Sequence, residues 1–393
     1  MNDAILILNA GSSSLKFAVY PADAALTRGA LYRGSIEAIG QVGRFRLFQG
    51  ADAGCLFDEA VTTASHAQAL ALLFEKVLDV HPDLELHAAG HRVVHGGADF
   101  THPVRVDERI LKKLERLIPL SPLHQPHNLA AIRALAGLRP GLPQVACFDT
   151  AFHRTLPPRA QSFALPRDLA SGKICRYGFH GLSYEHIAGV MPDYLGAAAE
   201  GRVVVAHLGY GASLCALSQR RSVETSMGFT PLDGIPMGSR CGTLDPGVLL
   251  YLQREERMSL VQVDELLHHR AGLLGYSGIS GDVRTLLASD QPSAREALEL
   301  FAYRTAQAIA GHAVSLQGID ALVFTAGIGE HAAPVRAAIC THLAWLGIDL
   351  DAEANRRHGP CISHAHSRVT AWVIPADEEC VIARHTWALT ANG

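Results

Sequence analysis

Two arginines in this sequence are expensive to place and useful once placed. Arg92 lies at the centre of Ala88-Ala89-Gly90-His91-Arg92-Val93-Val94-His95-Gly96-Gly97. A glycine-bounded, apolar segment of that kind buries a guanidinium only where an anion meets it, whether a ligand or a neighbouring carboxylate. Arg240 is framed in the same way by Gly238 and Gly242. Asp149 follows the apolar run Val145-Ala146-Cys147-Phe148, so it stands where open α/β sheets present their ligand-facing groups; a turn-forming aspartate is the plainer alternative. His180 sits among Tyr177, Gly178, Phe179 and Gly181 just before a helical pattern, and Asp377-Glu378-Glu379 puts three carboxylates after the last apolar run.

These groups need a frame that also admits a large anion. Ile5-Leu6-Ile7-Leu8 runs into Asn9-Ala10-Gly11-Ser12-Ser13-Ser14, and an alternating pattern resumes at Leu15, Phe17 and Val19. That reads as a hairpin whose small, hydroxyl-rich turn leaves N–H and O–H donors open to a phosphate, with Lys16 adding a positive charge. It is not a Walker A loop, because GxxxxGK[ST] is absent and no helix pattern follows. Val203 to Leu214 repeats the design, with Leu208-Gly209-Tyr210-Gly211 between two β runs. Two such turns in one chain imply two related halves. Asp320 to Phe324 is a buried strand that ends in Gly327-Ile328-Gly329-Glu330, a strand end suited to a nucleotide.

The remaining elements follow from periodicity and punctuation. Ser65 to Val80 is an amphipathic helix with Ser65 as N-cap. Asp107 to Leu117 is a second, and another starts near Asn128 after the proline-rich loop Ser121 to Asn128. Residues 21–60 read as further strands and loops, and Thr155 to Pro166 reads as an interdomain crossover. The helix Ser293 to Leu316 opens with a capping-box pattern, Ser293-Ala294-Arg295-Glu296.

Composition bounds the function class. A chain of 393 residues with 48% hydrophobic residues makes two domains with large cores, and a formal net charge of −4 argues against nucleic-acid or anionic-membrane partners. Eight cysteines without CxxC spacing argue for buried thiols in a reducing, cytoplasmic setting rather than a disulfide framework. Neither a signal-peptide pattern nor an apolar run of membrane-spanning length is present. The 21 histidines include no HExxH, and the pair His91 and His95 flanks a strand-like segment, which argues against a dedicated histidine metal site.

Taken in order, Asn9 to Lys16, Gly90 to Gly97, Ser121 to His124, Phe148 to Thr150, Gly178 to Leu182, His207 to Ser213, Ser239 to Pro246, Ala326 to Glu330 and Asp377 to Arg384 resemble the acetate kinase family across nearly the whole chain. The resemblance implies an α/β fold of two domains with duplicated ribonuclease H-like (actin-like ATPase) topology, mixed sheets flanked by helices and a nucleotide cleft between them. The domains would be 1–150 with 380–393, and 151–379. It implies a homodimer that transfers the ATP γ-phosphoryl group to acetate reversibly, by direct in-line transfer and with Mg²⁺ or Mn²⁺. Asn9 and Glu378 match metal positions, with Glu379 adjacent. Ser12, Lys16, His207, Leu208, Gly209, Tyr210 and Gly211 match the phosphate-binding positions. Asp282, Val283, Arg284, Gly327, Ile328, Gly329, Glu330 and His331 match segments around the adenosine and α-phosphate. Arg92, Asp149, His180 and Arg240 match catalytic positions, and Arg92, Val94, Leu123, Phe179 and Pro231 match the acetate pocket.

The chemistry accounts for these residue types. Acetate is already a nucleophile at neutral pH, so the difficulty is bringing one anion against another. Paired guanidiniums and a divalent cation offset that repulsion, and Asp149 then orients an arginine or a metal-bound water instead of abstracting a proton. Three departures from the family pattern stand out: Tyr210 and His331 where asparagine is usual, and Cys241-Gly242-Thr243 for Ser-Gly-Asp. They imply an active kinase with altered nucleotide affinity. Alternatives are a propionate or other short-chain fatty acid kinase and an actin-like or chaperone-like ATPase.

Overall fold

The computed structural model describes residues 3–23, 29–50, 54–169 and 174–391. Parts of the 21–60 stretch, namely 24–28 and 51–53, lie outside the described residues. The chain divides into two compact units, Met1–Ala151 with Asp377–Gly393, and Phe152–Ala376.

Unit 1 is built on an eight-stranded sheet. Its strands are β1 (Asp3–Ala10), β2 (Ser14–Pro21), β3 (Tyr32–Glu37), β4 (Val42–Gln49), β5 (Cys55–Thr62), β6 (Glu85–Val93), β7 (Val104–Arg105) and β8 (Gln144–Phe148). Their order is β5-β4-β3-β2-β1-β6-β8-β7. The run from Ala4 to Leu8 is buried on both faces of the sheet, so its apolar residues are consecutive instead of alternating. Helices α1 (His66–Val80) and α3 (Gln125–Leu138) cover it through Leu70, Leu73, Ala131 and Leu135; α2 (Glu108–Glu115) packs Leu111 and Leu114 in a neighbouring cluster. Ser65 caps α1 by accepting from the Gln68 N–H, and Asp107 caps α2 from Ile110.

Unit 2 holds β9 (Arg202–Leu208), β10 (Ala212–Ser218), β11 (Arg221–Thr225), β12 (Ala321–Thr325) and β13 (Thr370–Val373). Their order is β11-β10-β9-β12-β13. β9 and β10 are antiparallel, while β12 is parallel to both β9 and β13. Strands β3-β2-β1-β6-β8 of unit 1 repeat that order and sense. The duplication anticipated from the two turns is therefore a duplication of topology. Around the second sheet lie α4 (Pro158–Gln161), α5 (Gly181–Leu195), α6 (Pro246–Arg254), α7 (Leu260–His269), α8 (Gly272–Ser277), α9 (Val283–Leu287), α10 (Pro292–Leu316), α11 (Ala326–His331), α12 (Ala333–His342) and α13 (Ala352–Arg356).

The last helix, α14 (Glu378–Thr390), belongs to unit 1. It lies directly on β6 at Gly90, where a β-carbon would meet Thr386 Oγ1 at 2.3 Å and Ile382 Cγ2 at 2.6 Å. Asp377 caps it from the Cys380 N–H, and the same carboxylate is gripped by Arg33 (2.6 Å) and the Tyr20 hydroxyl (3.2 Å). The return into unit 1 thus falls at Asp377, three residues before the expected 380.

Three local expectations differ from the structure. Thr155 to Pro166 is not a crossover but part of unit 2, tied down by Thr155 Oγ1 to the Ser222 carbonyl (2.7 Å) and by the Arg176 N–H to Gln161 O (2.8 Å). Helix α3 starts at Gln125, with Pro126 in its first turn, where a missing N–H costs nothing. Ser293 forms no capping box, because Pro292 starts α10 one residue earlier and Gln291 occupies the cap without a side-chain bond.

Candidate active site

Unit 1 gathers four of the expected residues around one guanidinium. Arg92 is near the end of β6 and Asp149 just beyond the neighbouring parallel strand β8; in that register Arg92 lies beside Cys147. Arg92 Nε donates to Asp149 Oδ1 at 3.0 Å and Oδ2 at 3.2 Å, and Nη2 donates to Oδ2 at 2.6 Å. Its Nη1 donates to Asn9 Oδ1 at 3.2 Å, from the end of β1. Glu378, first residue of α14, stands 4.0 Å from Arg92 Nε. Asp149 is 2% exposed in its side chain and Arg92 22%. Burial works against the arginine's charge, but the charge and hydrogen bonds of Asp149, together with Glu378 and Glu379, more than offset it and raise its pKa above the ordinary range. Burial pushes the Glu378 carboxyl up to about 7, with Arg92 pulling it down and Asp149 and Glu379 adding to the rise.

Lys16 lies on β2 directly across from Asn9, and Ser12 is exposed at the β1–β2 turn. Val94 is buried and Leu123 half-buried. Two residues not singled out from sequence hold this region. Asn128 accepts from the Val94 N–H (3.0 Å) while donating to the Ala10 carbonyl (2.7 Å). Gln125 accepts from the His95 N–H (3.2 Å) and donates back to its carbonyl (3.0 Å). Both are buried amides in an apolar helix face, and that pattern was the available signal.

Unit 2 brings together a second set. His180 caps α5 in the left-handed region, with φ 57°. Its Nε2 and Arg240 Nη2 converge on Gly211, where a β-carbon would lie 3.5 Å from the first and 2.7 Å from the second. Glycine at 211 therefore keeps space in front of the imidazole Nε2 and the guanidinium. Arg240 Nη1 donates to the Pro231 carbonyl at 2.6 Å, which aims its guanidinium. His207, on β9 opposite Ser213, stacks on His180 with ring centroids 4.3 Å apart. Phe179 is buried, and its carbonyl accepts from His153 Nε2 at 2.9 Å.

The segments expected to face a nucleotide lie in the same unit. Leu208 is buried at the end of β9, and Gly209 adjoins Ala326 at the start of α11. Tyr210 is 58% exposed, its ring laid over Gly238 and its hydroxyl beside Gly281, next to Asp282. Asp282 caps α9 and pairs with Arg284 at 2.7 Å, while Val283 points into the core. Gly327, Ile328, Gly329, Glu330 and His331 form α11; Glu330 accepts the Ala376 N–H at 3.0 Å and His331 is exposed. Beneath them Arg336 is wholly buried and donates to the Gly329 and Glu330 carbonyls at 2.8 and 2.9 Å. It neutralises the negative end of α11, a role no local pattern announced.

The model of the acetokinase family matches residues 4–384. The chain belongs to the acetokinase family. Acetate kinase of Rhodopseudomonas palustris is 52% identical over 398 residues, spanning 100% of both chains, and that of Rhizobium meliloti 47% over 390 residues, 98% of each. The crystal structure of Porphyromonas gingivalis acetate kinase matches with a TM-score of 0.88 at 33% identity, covering 98% of this chain and 99% of the other. A propionate kinase from Francisella tularensis matches at 0.91 and 35%, covering 98% and 100%. The chain thus has the two-domain α/β fold and the kinase class implied by its motifs.

Proposed function

We propose that the protein transfers the γ-phosphoryl group of ATP to acetate, giving acetyl phosphate and ADP, and catalyses the reverse. The observation that supports this most is Arg92: its charge is secured by the buried Asp149, while Nη1 faces the neutral Asn9. Such an arginine can accept a second anion without losing its first. Asp149 is committed to three contacts with that guanidinium and acts as its orienter, since acetate needs no base. In unit 2, Arg240 and His180 supply donors for the equatorial oxygens of the transferring group. Tyr210, Asp282 and the α11 residues serve the nucleotide. Val94, Leu123, Phe179 and Pro231 serve the methyl group.

Mg²⁺ fits the donor set of unit 1. Asn9 and Glu378 offer only oxygen, and Glu378 is a carboxyl raised first by burial and further by Asp149 and Glu379, so a cation beside it would favour its charged form. A cation held by one or two protein oxygens and otherwise by water and phosphates is the habit of Mg²⁺, and Mn²⁺ shares it. When bound, the ion neutralises phosphate oxygens.

Homodimerisation is supported by helix α6, none of whose residues is buried, with Leu250 and Tyr251 exposed on it and Leu260 and Val261 exposed on α7. A cytoplasmic setting is supported by the eight cysteines, all of them thiols and none in a disulfide. No described helix is long and apolar enough to cross a membrane.

Trapping the acyl phosphate with hydroxylamine, in parallel reactions with acetate, propionate and butyrate, tests the assignment. Acetate should give the highest kcat/KM, propionate falling by about tenfold or more because a methylene is worth ~1–3 kcal/mol. A higher value with propionate would favour the propionate-kinase reading; ATP hydrolysis without any hydroxamate would refute both.

A further inference from the structure

The His180 ring is held by a short chain of hydroxyls. Its Nδ1 lies 2.8 Å from Ser213 Oγ, and Ser213 Oγ lies 2.5 Å from Tyr184 Oη. Ser213 is the second residue of β10 and Tyr184 is in the first turn of α5; both side chains are wholly inaccessible to solvent. Ser213 has one proton to give and two neighbours. If it donates to Tyr184, it must accept from Nδ1–H, and the lone pair of His180 then sits on Nε2. If it donates to Nδ1, it accepts from Tyr184, and the imidazole proton sits on Nε2.

Chemistry separates these two arrangements. A phenol is a stronger acid than an aliphatic alcohol and so the better donor of the pair, while imidazole nitrogen is the better acceptor. The chain therefore runs Tyr184 O–H to Ser213, then Ser213 O–H to His180 Nδ1. Enclosure in a dry interior strengthens each bond through the next. The outcome matters because Nε2 is the atom that converges with Arg240 on Gly211. A proton there makes His180 a donor to an anion; a lone pair there would repel it.

We propose that Ser213 and Tyr184 are positioning residues that hold His180 in the tautomer with its proton on Nε2, through a directed Tyr184–Ser213–His180 hydrogen-bond chain. The inference rests on the reading of His180 as a donor to the transferring phosphoryl group, and it is tested so that the two can fail separately.

The test compares His180→Ala with Ser213→Ala and Tyr184→Phe, the latter two both alone and combined with His180→Ala, for kcat and KM with acetyl phosphate and ADP. Histidine-specific ¹⁵N NMR of the full protein reads which nitrogen of His180 carries the proton. Ser213→Ala should lower kcat by about tenfold to a hundredfold, as loss of a ligand-orienting partner does. KM should move by less than about threefold. Tyr184→Phe should act in the same direction but more weakly, and neither should add to His180→Ala. The NMR spectrum should show His180 protonated on Nε2, with Nδ1 protonation appearing in Ser213→Ala.

A wild-type His180 protonated on Nδ1, or a Ser213→Ala enzyme with unaltered kcat, would overturn the chain. Unaltered kcat in His180→Ala would instead remove the phosphoryl-binding role, while the tautomer measurement still decides the chain. Should Ser213→Ala fail to fold, Ser213→Thr must restore near-normal kcat and Tyr184→Phe must shift the Nδ1 resonance; failure of both counts against the proposal.

Discussion

Replacing Asp149 by asparagine removes one charge and puts an amide where Arg92 now meets an acceptor. In the native arrangement Asp149 takes donors at 2.6, 3.0 and 3.2 Å, with 2% of its side chain exposed. Breaking a buried ion pair costs ~3–5 kcal/mol, because the surviving charge is left without its partner. Arg92 is 22% exposed and keeps Asn9 and, at 4.0 Å, Glu378, so we expect the lower end, about 3 kcal/mol. Urea unfolding should report that loss in unit 1. Loss of one well-aimed donor costs ~10²–10³ in kcat, so hydroxamate formation should fall by about that factor. The decisive measurement is a double-mutant cycle with Arg92→Ala. If Asp149 works through Arg92, the double variant should be little slower than Arg92→Ala alone. Multiplicative losses would show that Asp149 acts on the substrate independently, and the orienting role would be wrong.

Gly90→Ala should destabilise the fold by ~1–3 kcal/mol, since its β-carbon would lie 2.3 Å from Thr386 Oγ1 and push α14 off β6; an unchanged urea midpoint would contradict that packing. Tyr210→Asn should change KM for ATP or kcat, because the ring spans Gly238 and Gly281; if both constants stay the same, the phenol has no part in nucleotide binding. His91, His153 and His312 are buried, and burial lowers each pKa to about 4. Each binds protons more readily when unfolded, so stability is full above about pH 6.5 and is lost as pH falls toward 4. Each should cost ~2 kcal/mol by pH 5. A stability profile flat from pH 7 to pH 5 would disprove their neutral burial.

Much of this protein was legible in order along the chain. The run Ile5 to Leu8 and the alternation after Gly11 marked the hairpin of β1 and β2, and Ser65 marked the start of α1. Periodicity and caps are local, so sequence carries them. The motifs from Asn9 to Arg384 likewise specified the family, because each is a short stretch whose order survives without a fold. Partners are another matter. Arg92 meets Asp149, 57 residues away, only because β6 and β8 pair in parallel and in that register. Ser213 reaches His180 across 33 residues because β10 and the start of α5 adjoin. Arg336 is silent in sequence and becomes a helix-end cation only when α11 lies over it. Even Pro292 overruled Ser293 by starting α10 early. A side chain's type states what it can bond; which group satisfies it depends on backbone placement among residues distant in sequence, and that is decided when the sheets close.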